Sequence, residues 1–251
     1  MEQEQFYIGC SGWNYQHWRG VFYPVAVAKS KWLQYYATVF NTVEINATFY
    51  RQFKDSAYVN WYNKVPHGFC FSVKLSKYIT HIKRLIDVNA DVTTCVASAS
   101  LLHEKLGVIL IQLPPSLKFD ASLVSDFLSV LPGNYRYAIE ARHNSWMCDS
   151  SFSLLHHYNV AWCISDTAGR YPYYEEVTAD FVYIRLHGST QLYASNYSDN
   201  ELHNWAEKIL KWNKLTYCYF DNDFNAYAVY NALSLKKLLM LVRPSPCSDY
   251  M

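Results

Sequence analysis

VILIQLPPSLKFDASLVSDFLSVLPGNYRYAIEA, residues 108–141, holds the fold in miniature. Val108–Gln112 and Tyr137–Ala141 are short apolar runs of the kind found in strands covered on both faces. Between them Asp120–Leu131 opens on an acidic candidate cap and repeats a Leu/Val/Phe face, which predicts a helix. Strand, helix, strand is the repeating unit of a parallel sheet. The same alternation continues outward. FYIGC (Phe6–Cys10), TVEI (Thr42–Ile45) and FCFSV (Phe69–Val73) precede it, and AWCIS (Ala161–Ser165), FVYIRL (Phe181–Leu186) and TYCYF (Thr216–Phe220) follow. Helical patterns occupy Lys29–Phe40, Asp91–Leu106, Ser198–Ile209 and Ala226–Leu241, and Ser198 stands at capping-box spacing from Glu201. Shorter helices are expected after the second and fifth strands, and none in the sixth connection, Thr167–Asp180.

Eight strands separated by crossovers in 251 residues favour a closed barrel over an open doubly wound sheet. The first turn, GCSGWNY (Gly9–Tyr15), lacks the G-x-G-x-x-G of a dinucleotide fold, and no P-loop or linker interrupts the chain. The fold class is therefore α/β: one parallel eight-stranded (β/α)₈ TIM barrel, with residues 1–251 as a single domain.

Composition sets the chemical limits. The chain is 51% hydrophobic and 17% charged, which excludes a disordered or low-complexity protein. A net charge of +1 supplies no global field toward nucleic acid or anionic lipid. Seven scattered cysteines, never in C-x-x-C and several inside apolar runs, argue against a disulfide framework or a thiolate zinc site. MEQEQFYIG has no basic segment or long apolar stretch, so a leader is not expected. No apolar segment reaches the ~20 residues of a membrane span. These features predict a soluble, cytoplasmic protein with no membrane partner, and make the N-x-S/T matches at Asn46 and Asn196 incidental.

In a TIM barrel the active site forms at the carboxyl ends of the strands. Those positions here carry Ser11 and Trp13; Glu44, Asn46 and Tyr50; Lys74; Gln112; Glu140, Arg142 and His143; Asp166; Arg185 and His187; Asp221 and Asp223. Side chains two apart on a strand share a face, so Glu44 goes with Asn46, Glu140 with Arg142, Arg185 with His187 and Asp221 with Asp223. So many charges cannot be buried unpaired. They must meet one another, a ligand or a metal, and Glu44 with Lys74 is a natural structural pair.

The stretches IGCSGWNYQHWRGVFYP (8–24), YYATVFNTVEINATFYR (35–51), FSVKLSKYITHIKRL (71–85), LGVILIQLPPS (106–116), EARHNSW (140–146), TADFVYIRLHG (178–188) and YFDNDFNAYAVYNALSL (219–235) resemble the YecE-like family, domain of unknown function 72. The resemblance covers essentially the whole chain. It implies a TIM barrel and says little of activity, beyond a likeness to endonuclease IV-type barrels and to DNA binding. This chain departs from the family pattern at Ala47, where serine is usual, at Asn144, where proline is usual, and at Ala226-Tyr227, where Gly-His is frequent.

Three chemistries compete for the ring. A metal-dependent phosphodiesterase would draw on His187, Glu140, Asp166, Glu44, His143 and His81, but Lys74, Arg142 and Arg185 in the same ring repel a cation. A glycoside hydrolase would use two of Glu44, Glu140, Asp166 and Asp221, with Trp13, Trp18 and Trp146 as stacking surfaces. Anion recognition fits best: Lys74, Arg142, Arg185 and His187 are charge-assisted donors. Glu140 or Asp166 then serves as acid–base, His187 as proton shuttle, and Lys74 is a candidate Schiff-base nucleophile. Trp13, Glu44, Asn46, Tyr50, Gln112, His143, Asp221 and Asp223 complete the substrate contacts. The expectation is an enzyme acting on an anionic, phosphorylated substrate without a cofactor or bound metal. The alternative partner is a nucleic acid, gripped by loop tyrosines such as Tyr171, Tyr173, Tyr174, Tyr193 and Tyr197 and by the His81–Arg84 run.

Overall fold

All eight predicted runs are strands in the computed structural model, which describes residues 5–241. They are β1 (Phe6–Ser11), β2 (Thr42–Ile45), β3 (Cys70–Lys74), β4 (Leu106–Gln112), β5 (Arg136–Glu140), β6 (Ala161–Asp166), β7 (Phe181–Leu186) and β8 (Leu215–Phe220). Each pairs in parallel with its neighbour in chain order, and β8 closes on β1. Around the barrel lie α1 (Trp32–Val39), α2 (Ala47–Tyr50), α3 (Asp55–Lys64), α4 (Asn89–Ser100), α5 (Ala121–Ser129), α6 (Asp149–His157), α7 (Asp199–Trp212) and α8 (Tyr227–Leu241). The connection between β6 and β7 holds no helix, as expected.

Two cores follow from strand parity. Ile109 and Ile111 of β4, Ile139 of β5 and Val182, Ile184 and Leu186 of β7 face outward and pack in the layer beneath the helices. Val108, Leu110, Ala138, Cys163, Phe181, Tyr183, Tyr217 and Tyr219 form a second cluster inside the barrel. Small residues such as Ala138 and Cys163 make room there for three tyrosines. Their hydroxyls need partners in so dry a place. Tyr219 finds Thr42 Oγ1 at 2.7 Å and Ser72 Oγ at 2.8 Å, and Tyr183 donates to Glu44 Oε2 at 2.6 Å. The inner core thus becomes polar as it rises toward the carboxyl ends of the strands.

Helix ends differ most from expectation before β4, while α1 starts three residues late, after a tight turn at Lys29–Lys31, and α7 runs three residues past Ile209. The pattern over Asp91–Leu106 predicts one helix, but α4 stops at Ser100 and a tight turn over His103–Lys105 leads into β4. His103 takes the left-handed conformation (φ 47°) that reverses the chain there, a task more often given to glycine. Elsewhere the caps match: Asp120 accepts from Leu123 N, and Ser198 and Glu201 form a reciprocal capping box. The six described cysteines are all free; Cys247, like residues 1–4, lies outside the described residues. No described helix is long and apolar enough to cross a membrane.

Candidate functional site

Arg185 is the hub of the barrel mouth. It stands at an inward position of β7, in register with Ser165 of β6 and Tyr219 of β8, and is 1% exposed. Its Nε donates to Glu44 Oε2 at 3.0 Å and its Nη2 to Glu44 Oε1 at 2.8 Å, a bidentate pair. Nη2 also reaches Asp221 Oδ2 at 3.3 Å, and Nη1 donates to Glu140 Oε2 at 2.5 Å. Ser11 on β1 donates to Glu44 Oε1 at 2.6 Å, tying β1 into the cluster as well. Burial favours neutral carboxyls at Glu140 and Asp221, but the groups that face them outweigh it. Arg185 and Arg142 hold Glu140 far below the usual carboxylate range, and His187 and Arg185 hold Asp221 below its ordinary value.

His187 follows β7 with the same parity and is fully buried. Its Nε2 lies 3.3 Å from Arg185 Nη1. A guanidinium can only donate, so Nε2 accepts and the ring proton belongs on Nδ1. Nδ1 stands 3.0 Å from Asp221 Oδ2, at ion-pair distance though outside hydrogen-bond geometry. Gly188 makes the turn that places this ring: its φ is +119°, and a Cβ there would collide with the Gln191 carbonyl.

The opposite side of the mouth is cationic. Arg142 bonds Glu140 Oε1 through Nε at 2.8 Å and Nη2 at 2.7 Å, and its guanidinium lies 4.4 Å from the Tyr171 ring centre. Lys74 donates to Gln112 Oε1 at 2.5 Å. Among the described residues no carboxylate lies within ion-pair distance of Lys74, so the expected Glu44–Lys74 pair does not form. Parity puts both side chains inside, yet the two guanidiniums, with their forked donors, take the carboxylates. Burial, then the charge of Arg185, bring the Lys74 ammonium down to about 8. His81, edge-on to Phe49, is pushed to about 4 by burial and by Lys74, Arg142 and Arg84. The local field is positive.

The remaining candidates are dispersed around this centre. Asn46 begins the turn into α2 in a helical conformation, so the strand alternation that pairs it with Glu44 has already ended. Its buried Oδ1 has no hydrogen-bond partner. Tyr50 is exposed on the rim, and Trp13 packs edge-on against Trp61. His143 caps the turn Asn144–Trp146 by accepting from Ser145 N at 3.1 Å. Asp223 binds Trp18 Nε1 at 2.6 Å and His17 at 3.0 Å, away from Asp221's partners. Asp166 lies at an outward position of β6, where Tyr197 donates to it at 2.9 Å, and it lines a separate cleft against α7. Burial raises its carboxyl pKa, with Tyr197 opposing. The sequence places Ser11 at the mouth without a role and gives no signal for Tyr183 beyond its place two before Arg185, on the same face.

The carboxylates of the ring converge on a guanidinium, and among the described residues no three His, Cys, Asp or Glu side chains form a metal-ligand set. A two-carboxylate glycosidase needs an acid with a raised pKa. Glu140 is driven the other way, and both its oxygens are engaged by arginines.

A sequence model described as "Protein of unknown function DUF72" matches residues 7–248. The chain is 30% identical over 138 residues to UPF0759 protein YecE of Escherichia coli K12, covering 55% of this chain and 48% of that one. To UPF0759 protein YunF of Bacillus subtilis it is 30% identical over 148 residues, 56% of this chain and 51% of that one. The chain thus spans about half the length of the curated relatives it matches. Among solved structures, a DUF72 family protein of Thermotoga maritima superposes with a TM-score of 0.86 at 30% identity, over 94% of this chain and 100% of that one. One from Enterococcus faecalis gives 0.82 at 19% identity, over 97% and 100%, and bears on the fold alone.

Proposed function

The chain belongs to the DUF72 family, and from that premise we propose that it is an enzyme that binds an anionic, phosphorylated substrate at the mouth of its barrel. One observation carries the reading. The carboxylates of the ring are spent on Arg185 and Arg142, and Lys74 and Arg84, on the side that also holds Arg142 and His81, meet no carboxylate among the described residues. A phosphate or carboxylate entering there gains charge-assisted hydrogen bonds without displacing an existing ion pair. Arg185 positions rather than binds, since its donors already face Glu44, Glu140, Asp221 and His187. His187, oriented between Arg185 and Asp221, is the proton carrier, and Glu140 stays ionised to hold the two arginines.

Inorganic phosphate and phosphorylated metabolites should raise the melting temperature saturably. Arg142→Gln should abolish that rise and leave the fold intact. No stabilisation by any anion at millimolar concentration would overturn the reading. A second reading rests on the exposed aromatics of the mouth loops, Tyr50 at 67%, Tyr193 at 43% and Phe224 at 70%, which offer stacking faces to unpaired bases. Single-stranded DNA binding with a steep salt dependence would favour it.

A further inference from the structure

Lys74 differs from the other buried lysine in what holds it. Lys105, 7% exposed, donates to two carbonyls beside the end of α3, Tyr62 O and Val65 O, each at 2.8 Å. Burial lowers its pKa and the Tyr62 ring centre lies 4.2 Å from its Nζ, yet the two carbonyl acceptors favour the ammonium and mark it as structural. Lys74, 6% exposed, has one amide oxygen, Gln112 Oε1, and the Phe49 ring centre 4.2 Å from Nζ. Arg185 and Arg142 have taken the carboxylates that would otherwise fix it as a cation. This is the arrangement that leaves a lysine able to shed its proton.

Lys74 stands at an inward position of β3, so its amine faces the barrel mouth beside Gln112 and Phe49. Arg185 and Arg142 stand in the same ring and supply the positive charge that an anionic substituent meets. We propose that Lys74 is a covalent catalytic residue whose amine condenses with the carbonyl carbon of an anionic aldehyde or ketone bound at that mouth. The inference rests on the anion reading above and names the reactive group of that substrate.

The step balances without an oxidant or reductant. The Lys74 ammonium gives one proton to solvent, and its freed electron pair forms the C–N bond as the carbonyl π bond breaks. A proton passes from nitrogen to the new alkoxide, giving a carbinolamine. That hydroxyl takes back one proton and leaves as water, and the product is a protonated imine. The positive charge present at the start is present at the end, so an anionic substituent keeps its counter-charge. Burial and Arg185 make the neutral amine available near pH 8.

The test uses the unmodified protein, glyceraldehyde 3-phosphate or the uncharged aldehyde propanal, and sodium cyanoborohydride to trap the imine, with peptide mass spectrometry to locate it. Lys74 should be alkylated at least about ten-fold faster than Lys77 at pH 8, because an ordinary lysine has ~100-fold less free amine there. Its rate should rise with a midpoint near 8, and inorganic phosphate should slow the phosphorylated aldehyde alone. If phosphate stabilises the protein but Lys74 reacts no faster than Lys77, the covalent role falls and the anion reading stands. If Lys74 reacts rapidly with propanal and phosphate neither protects nor stabilises, the imine role stands and the anionic substrate falls. If Lys74 is inert to both aldehydes and no anion binds, both fall.

Discussion

At the scale of single residues, Arg185 decides whether the mouth is rigid. Its guanidinium is the shared partner of Glu44, Glu140 and Asp221, so Arg185→Met leaves buried carboxylates without their cation. The expected cost is ~3–5 kcal/mol, read from urea unfolding curves. Unchanged stability would mean that water or a rearranged Arg142 satisfies those carboxylates. Asp223 gives a test with a pH sign. Burial, aided by the charge of Asp221 and opposed by Trp18 and His17, raises its pKa to about 6. The folded state then binds more protons than the unfolded one between about pH 4 and 6. Its contribution is complete below that window and is lost as pH rises through 6. Asp223→Asn should therefore melt higher than wild type at pH 8, with the gap narrowing as pH falls from 6 to about 4. Much of the ring was legible from strand parity: Glu44, Lys74, Gln112, Glu140, Arg185 and His187 all sit at inward positions. Asp166 fails the same test, because Cys163 is inward and an odd step along β6 turns Asp166 out. Which acid takes which base was not legible. It depends on guanidinium geometry across the barrel, between residues 141 positions apart in the case of Glu44 and Arg185.

At the scale of elements, α7 shows how a helix end reaches into the site. Its capping box fixes Ser198, and the preceding Tyr197 donates to Asp166 and accepts from Gly188 N at 3.0 Å, bracing the turn that carries His187. Asn231 of α8 clamps the same residue, donating to Tyr197 O at 3.1 Å and accepting from Tyr197 N at 3.2 Å. Ser198→Ala should cost about 1 kcal/mol, seen as a lower urea midpoint with an unchanged slope. The spacing of serine and glutamate in S-D-N-E makes this box legible in the sequence. The connection from β3 to α4 is not legible in that way. It winds through a wide helical turn at Tyr78–Ile82 and then places Arg84, Leu85 and Asp87 at φ 51°, 71° and 50°. No glycine in HIKRLIDV signals such a path, and a buried leucine in that region costs ~1–2 kcal/mol. Tertiary fit outweighs local preference there. Leu85 is buried in the outer core, and Arg84 is anchored to Ser116 Oγ at 2.9 Å, keeping its charge near His81. Strain of this kind gathers where a site must be held open.

At the scale of the whole molecule, the barrel was readable because its unit repeats, so that each strand supports the assignment of the next. The pH response is a property of the same whole, since it sums groups on most of the strands. Glu140 and Asp221 have depressed pKa values, so the stability they contribute is present above the unfolded carboxylate range and is lost as pH falls. Tyr36, Tyr183 and Tyr219 are pushed well up by burial, so the fold weakens above about pH 10, where unfolded tyrosines ionise. Between these limits Lys74 acts with the opposite sign to a paired lysine. Its folded pKa is about 8 against 10.5, so the unfolded chain binds more protons in that window and stability rises with pH. From pH 8 to 10 the gain should approach about 2 kcal/mol, offset near the top by the tyrosines. Lys74→Met keeps the side chain against Phe49 and removes the titrating group. That variant should be more stable than wild type at pH 7 and should show no rise between pH 8 and 10. Urea midpoints measured at half-unit steps from pH 6 to 10 separate the two curves. Parallel curves would mean that the Lys74 ammonium is fully solvated in the fold, and both its lowered pKa and its availability as a nucleophile near pH 8 would go with that result.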